Sequence, residues 1–320
     1  MGILFAVLSA LGYGASMFFT QMGLKSGKTP VLRGMMVGLL AANAALWCAL
    51  VVSLSFRPVT FAWDGVVFFI AAGLMAPLLG RTAHFMSIQR LGASRGGSLV
   101  LSENLFAAPL AFLFFGQTLS LITVTGIVVI VVGMVLFINE IRRTVPLPAP
   151  VSDPEEGAYA LAPAGVGSRR LSRSGTGVVL GLAAGLFFAS ANLFRQAGVD
   201  AIPSALLGSA IGTAAALLVT GLAVVRARQV HTCLQMSRHD ALHFAASGLT
   251  SSVGMLAIFW ALDSGSTVAA ATAIKNTAPL FTFLLAAIFL SQVERITARL
   301  GLLIALVVAG AVLTTLGRLF

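Results

Sequence analysis

Glu103 and Lys275 stand inside long apolar runs, within 94–115 and 267–290 respectively. A charge placed in hydrocarbon costs about 2.5–3.5 kcal/mol on insertion scales, so each asks for a reason. At 1.5 Å per helical residue Glu103 lies roughly 14 Å into its run, near a bilayer midplane, and Lys275 lies at a similar depth. A carboxylate there can accept hydrogen bonds or carry a proton, and an ammonium can hold an anionic group. Two readings stay open. In one, the pair lines a cavity, contacts a polar or zwitterionic substrate, and Glu103 carries a coupling proton. In the other, the two form a structural ion pair, or snorkel separately to water.

Further polar groups lie at similar depths. Asn104 and Asn276 adjoin the two charges, and Arg81 and His84 fall in the last turns of the third run. Tyr13 and Gln21 lie in the first run, Asn192 and Gln196 in the sixth, and Trp260 in the eighth. Amides and aromatic rings on facing helices suit a pocket for a small organic molecule. The plainer alternative is hydrogen bonding between helices, worth about 0.6 kcal/mol on average. We take Gln21 and Gln196 that way, and Arg81 has the option of snorkelling to an interface.

The elements that hold these groups follow from composition. Of the 320 residues 58% are hydrophobic and only 9% are charged, against about 25% charged in soluble domains. Too few charges exist to clothe a soluble fold, so lipid must cover the outside. Buried in lipid, a backbone satisfies itself as a helix or a closed barrel. The apolar runs fit the helix, which needs about 20 residues to cross the bilayer. The expected spans are 2–23, 31–55, 65–88, 94–115 and 120–139, then 176–198, 204–226, 241–263, 267–290 and 297–317. Residues 140–175, rich in Pro, Gly, Ser and charge, read as a linker between a first five-helix repeat, 1–139, and a second, 176–320.

The two sets resemble one another at a nearly constant offset. A shift of 175 puts Gly2 on Gly177, Phe19 on Phe194, Gln21 on Gln196 and Gly23 on Gly198. One residue less puts Gly34 and Gly38 on Gly208 and Gly212. Five spans per repeat is an odd number, so the copies insert in opposite senses, as in many secondary transporters. The net charge of +10 does not indicate nucleic acid, because the charges sit in short loops. Lys25, Lys28, Arg33, Arg90, Arg95, Arg142, Arg143, Arg169, Arg170, Arg173, Arg226, Arg228, Arg238, Arg295 and Arg299 fall on one side, and Arg57, Arg195 and Arg318 on the other. The positive-inside rule then makes the linker cytoplasmic and leaves both termini outside.

Several features take a plain explanation. The Gly34/Gly38, Gly181/Gly185 and Gly208/Gly212 pairs permit close helix packing. A stripe of Thr267, Ala271, Lys275, Ala278 and Thr282 turns one face of the ninth helix toward protein or water. Pro77, Pro109 and Pro279 bend or interrupt helices near the expected cavity. His239 and His243 have a metal-binding spacing, but only Asp240 stands near as a third ligand, so we read them as interfacial and expect no metal. Cys48 and Cys233 suggest neither disulfide nor zinc. No phosphate-binding glycine loop is present, and no cofactor is expected.

Two segments carry a family resemblance: TAPLFTFLLAAIFLSQVERITARLG from Thr277 to Gly301, and SENLFAAPLAFLFFGQTLS from Ser102 to Ser120. A proline about a dozen residues before a Gly-Glu corner resembles the EamA-type members of the drug/metabolite transporter superfamily. Here Pro279 fits, Ser291-Gln292 and Gly116-Gln117 replace the corners, and Asn104 stands at the first proline position. The resemblance implies an all-α membrane protein of ten helices in two inverted repeats. It also implies export of a small metabolite, amino acid or drug-like compound by alternating access. A bacterial inner membrane is the expected location, since the chain is compact and shows no organelle-targeting feature, with a monomer or homodimer as the expected assembly. The alternatives are a membrane-embedded lipid-modifying enzyme, for which acids and histidines are too few, and a non-transporting sensor or subunit.

Overall fold

The computed structural model describes residues 1–25, 30–54, 62–115, 120–144, 173–226, 236–264, 268–289 and 297–317. It contains ten helical spans long and apolar enough to cross a membrane, and no strand among the described residues. Span 1 is Gly2–Leu24, span 2 Val31–Leu54, span 5 Leu121–Thr144, span 6 Arg173–Ala201, span 7 Ala205–Arg226, span 8 Arg238–Asp263 and span 10 Ala298–Leu316. Span 3 joins Trp63–Gly73, a π-helical Leu74–Gly80, and Arg81–Leu91. Span 4 is Ala93–Leu99 followed by Ser102–Phe115, and span 9 is Val268–Lys275 followed by Ala278–Phe289. Residues 145–172, Thr267 and both Gln-containing corners lie outside the described residues.

Apolar side chains cover the outside. Leu218 is 74% exposed and Leu302 72%, an arrangement stable only against acyl chains. Successive spans reverse direction, which brings alternate ends to a common face. At one face Ser87 Oγ donates to the Gly177 carbonyl at 2.9 Å, and Arg299 pairs with Glu140 at 3.3 Å. This face also carries Lys25, Arg33, Arg90, Arg95, Arg226 and Arg238, all from the expected basic side. At the opposite face the Ser120 hydroxyl meets the Gly317 carbonyl, and Phe5 packs on Trp260. Gly2 and Gly317 share that second face.

The repeats are visible in how glycines are used. Phe69 and Phe244 stand 175 residues apart, and both rings are fully buried. Phe244 fills the space over Gly23 and Gly34, while Phe69 fills the space over Gly198 and Gly208. These are the glycine pairs that the sequence offset equates. The backbones of Gly38 and Gly248 touch between spans 2 and 8, and those of Gly212 and Gly73 touch between spans 7 and 3. Each repeat thus inserts one aromatic ring and one glycine contact into the other. Because span 5 and span 6 meet the same face, the two repeats run in opposite senses. Spans 5 and 10 pack on each other through Ile130, Met134, Phe137, Leu303, Ile304 and Val307, outside the ring of spans that encloses the centre.

Three spans are interrupted near mid-depth. Pro279 has no N–H, and its ring would crowd the Lys275 carbonyl. Span 9 accordingly breaks after Lys275, with a tight Thr277 N–H to Ile274 carbonyl bond of 3.0 Å. Span 4 breaks at Val100–Leu101, where Glu103 and Asn104 also make bonds of the tighter kind to Val100 and Leu101, at 2.9 and 3.0 Å. The two breaks match to within one residue under the 175-residue offset. The sequence expectation was that Pro109 disturbs span 4, but Ser102–Phe115 continues through it. In span 3, Pro77 lies within the π-helical turn. Such turns carry one residue more than an α turn and often mark functional sites.

Candidate functional site

A cavity of about 200 Å³ lies between the repeats, lined by residues from every span except 5 and 10. Its four charged side chains are Arg81, Glu103, Arg195 and Lys275. Three of these stand at the helix interruptions. Arg81 follows the π-helical turn directly. Glu103 lies in the first turn of Ser102–Phe115, and Lys275 ends Val268–Lys275. A carboxylate at a helix N-terminus and an ammonium at a C-terminus both complement the helix dipole. The breaks therefore help to explain how these charges are tolerated so deep.

Glu103 and Lys275 do not pair with each other among the described residues, so the ion-pair alternative is set aside. The Asn192 amide donates to Glu103 Oε1 at 2.7 Å, and Asn192 Oδ1 accepts from Arg195 Nη1 at 3.1 Å. One side chain of span 6 thus joins an anion to a cation. Lys275 Nζ instead stands over the Tyr13 ring, 5.9 Å from its centroid. This is a cation–π position. Tyr13 OH reaches Met255 Sδ at 3.6 Å.

Arg81 does not snorkel to the interface. Its Nη2 donates to Ser251 Oγ at 3.1 Å, across the cavity from span 3 to span 8. His84, one turn on, is 7% exposed and lies edge-on to Phe188. Its Nε2 is buried without a hydrogen-bond partner. Asn276 Nδ2 donates to Asn104 Oδ1 and to Thr315 Oγ1, both at 3.2 Å. Asn276 touches the cavity, whereas Asn104 stands behind it and ties spans 4 and 9 together. Trp260 does not join this group, being 48% exposed at the outer surface.

Sequence reasoning placed Arg195 at the far interface, and the structure corrects this. Span 6 continues to Ala201, so Arg195 is interior, one turn beyond Asn192 and on the same face. A basic residue inside the apolar run, in register with Asn192, was the available signal. Ser251 and Phe188 were also missed, and a lone serine or phenylalanine in an apolar run gives no such signal. His239 and His243 lie 4.3 Å apart ring to ring, with His239 within 3.7 Å of Asp240. No group of three metal-ligating side chains occurs among the described residues. Ala271, Ala278 and Thr282 of the ninth-helix stripe are buried against protein.

The cavity is closed toward the basic face. Phe85 stacks on Phe244 with centroids 6.2 Å apart, within a cluster that includes Leu24, Met35, Leu39 and Ile88. In the other direction a second hollow of about 130 Å³ shares Phe69, Arg195, Gly208, Ser209 and Met255 with the first and reaches Val199, Ala205 and Phe259. Beyond the π-helical turn the repeat offset becomes 174, which equates Phe85 with Phe259. Equivalent rings are thus stacked at one end and separated by a hollow at the other.

The Asn192 bridge has a measurable consequence. Asn192→Ala strands one carboxylate and one guanidinium in partly buried positions, and is expected to lower stability by about 1 kcal/mol. Thermal unfolding in detergent checks this, and an unchanged midpoint would mean that the amide bridges nothing.

Two inverted repeats of five spans around a charged central cavity define a multi-pass membrane protein of the transporter type. The chain belongs to the EamA-like transporter family, whose model matches residues 1–139 and 175–316, and with it to the drug/metabolite transporter superfamily. A solved crystal structure of a protein 16% identical to this chain covers 97% of it and 96% of its own length, with a TM-score of 0.52. At that identity the likeness concerns the fold alone. No curated protein sequence matches the chain.

Proposed function

We propose that this protein is a secondary transporter that exports a small organic metabolite by alternating access around the central cavity. The observation that carries this reading is the coincidence of three helix interruptions with the charged residues Arg81, Glu103 and Lys275 on one cavity. Interrupted helices at a repeat interface suit binding sites in transporters. Arg81, Glu103, Lys275, Asn276, His84 and Tyr13 contact the substrate. Asn192 and Asn104 position its neighbours, and Trp260 has no part in binding.

The basic face is the cytoplasmic one, by the positive-inside rule. The linker lies on that side and both termini lie outside, in a bacterial inner membrane. The present state then has its hollow directed outward. In the opposite state the exchange of equivalent contacts brings Phe259 against Phe69 and parts Phe85 from Phe244. The inverted repeats make the two arrangements related in kind, which supports their having similar energies.

Counterflow in liposomes is the test. A transporter exchanges a labelled metabolite for unlabelled compound trapped inside. Turnover without vectorial movement would indicate a membrane enzyme, and binding without either would indicate a sensor. Glu103 is also the candidate carrier of a coupling proton. If so, Glu103→Gln abolishes uptake driven by a pH gradient while leaving counterflow measurable. Gradient-driven transport at the wild-type rate in that variant would end the coupling proposal.

A further inference from the structure

The charges facing the cavity do not balance. Glu103 and Arg195 are joined through the Asn192 amide, so these two offset each other. Arg81 and Lys275 remain. Arg81 donates to a neutral hydroxyl on Ser251, and Lys275 stands over the Tyr13 ring. Neither has a carboxylate partner among the described residues. Water can solvate both cations while the cavity is open, but closure of the cavity removes that water. An occluded site with two uncompensated cations is costly unless the cargo brings negative charge.

Resting on the transporter reading, we infer that the substrate is a small organic dianion, a dicarboxylate with its two charges at separate ends. Arg81 and Lys275 belong to different spans and are held by different neighbours, Ser251 and Tyr13, so each can take its own carboxylate. A planar guanidinium with a hydroxyl beside it suits one carboxylate. His84 supports the assignment independently: it is buried, lines the same cavity, and its Nε2 has no partner. It sits one turn from Arg81, and a turn of its ring brings Nε2, which is sealed from the cavity here, to the same carboxylate. The ammonium of Lys275 takes the other. Val100, Leu101 and Phe188 line the same cavity and supply apolar wall for a short carbon chain.

The test uses the wild-type protein in detergent with three compounds of similar size: succinate, its monoamide succinamate, and its diamide succinamide. Binding is read by calorimetry. Affinity is expected to fall about tenfold with each charge removed, as expected for loss of one close charge pair. Arg81→Gln and Lys275→Gln are each expected to reduce the preference of succinate over succinamate to near unity. Equal affinity for all three compounds overturns the inference, as does binding of none or a preference for the diamide or for the diamine putrescine. Counterflow separates this from the transporter reading. Movement of a neutral or cationic compound would sink the dianion while leaving the carrier in place, whereas binding of succinate without its movement would do the reverse.

Discussion

Gly248→Ala and Gly73→Ala are each expected to destabilise the protein by about 3 kcal/mol, the upper end of what overpacking costs. A methyl group on Gly248 would overlap the backbone of Gly38, and one on Gly73 would overlap the backbone of Gly212. Backbone cannot rotate away as a side chain can, so spans 8 and 2, or 3 and 7, must separate. Separation forfeits the close contact on which helix association in lipid depends. Gly221→Ala serves as the control, because nothing lies within 4 Å of a methyl group there. Thermal unfolding in detergent should show two lowered midpoints and one unchanged. The equality of the two losses matters as much as their size, since Gly73 and Gly248 occupy equivalent places in the two repeats. Should Gly73 and Gly248 both behave like Gly221, the tight inter-repeat packing described here is wrong.

Met17→Cys combined with Gly97→Cys is expected to abolish counterflow under oxidising conditions and to restore it on reduction. A Cβ at Gly97 would lie 4.0 Å from Met17 Cβ, inside the 3.5–4.5 Å range that a disulfide requires. The Met17 sulfur that now crowds Gly97 is removed by the same pair of changes. The bond would join span 1 to span 4 in the wall of the cavity. Alternating access requires that wall to rearrange, so a covalent tie there stops the cycle. Cys48 and Cys233 are replaced by serine in this background. Counterflow at the wild-type rate in fully cross-linked protein would rule out that rearrangement.

Much of this architecture could be read from residue types. The ten spans follow from apolar run length, because lipid leaves the backbone few alternatives. The repeat was legible in Gly23, Gly34 and Gly38 and their counterparts, since close backbone approach admits no other residue. The aromatic rings over those glycines were not, because phenylalanines are common in any apolar helix. Glu103 and Lys275 were conspicuous as charges in hydrocarbon, but their partners were not. Asn192 was singled out as a polar residue, yet nothing in the sequence joins it to Glu103, 89 residues away. Arg195 was misplaced because it stands close to the end of its apolar run, where a basic residue reads as part of the interface. The break in span 4 was expected at Pro109, whereas it falls upstream at Val100–Leu101, where no proline marks it. Trp260 shows the converse error: a large amphipathic ring suggested a pocket, and the helix face it occupies turns outward.

A single thiol at Ser209 bears most directly on whether the hollow is a pathway. Ser209 lines both the cavity and its extension toward Ala205. With Ser209→Cys in a cysteine-free background, a membrane-impermeant thiol reagent should react from the face that carries Gly2 and Gly317. Modification should then halt counterflow by filling the cavity. Reaction only from the linker face, or full modification with counterflow intact, would contradict a central route between the repeats.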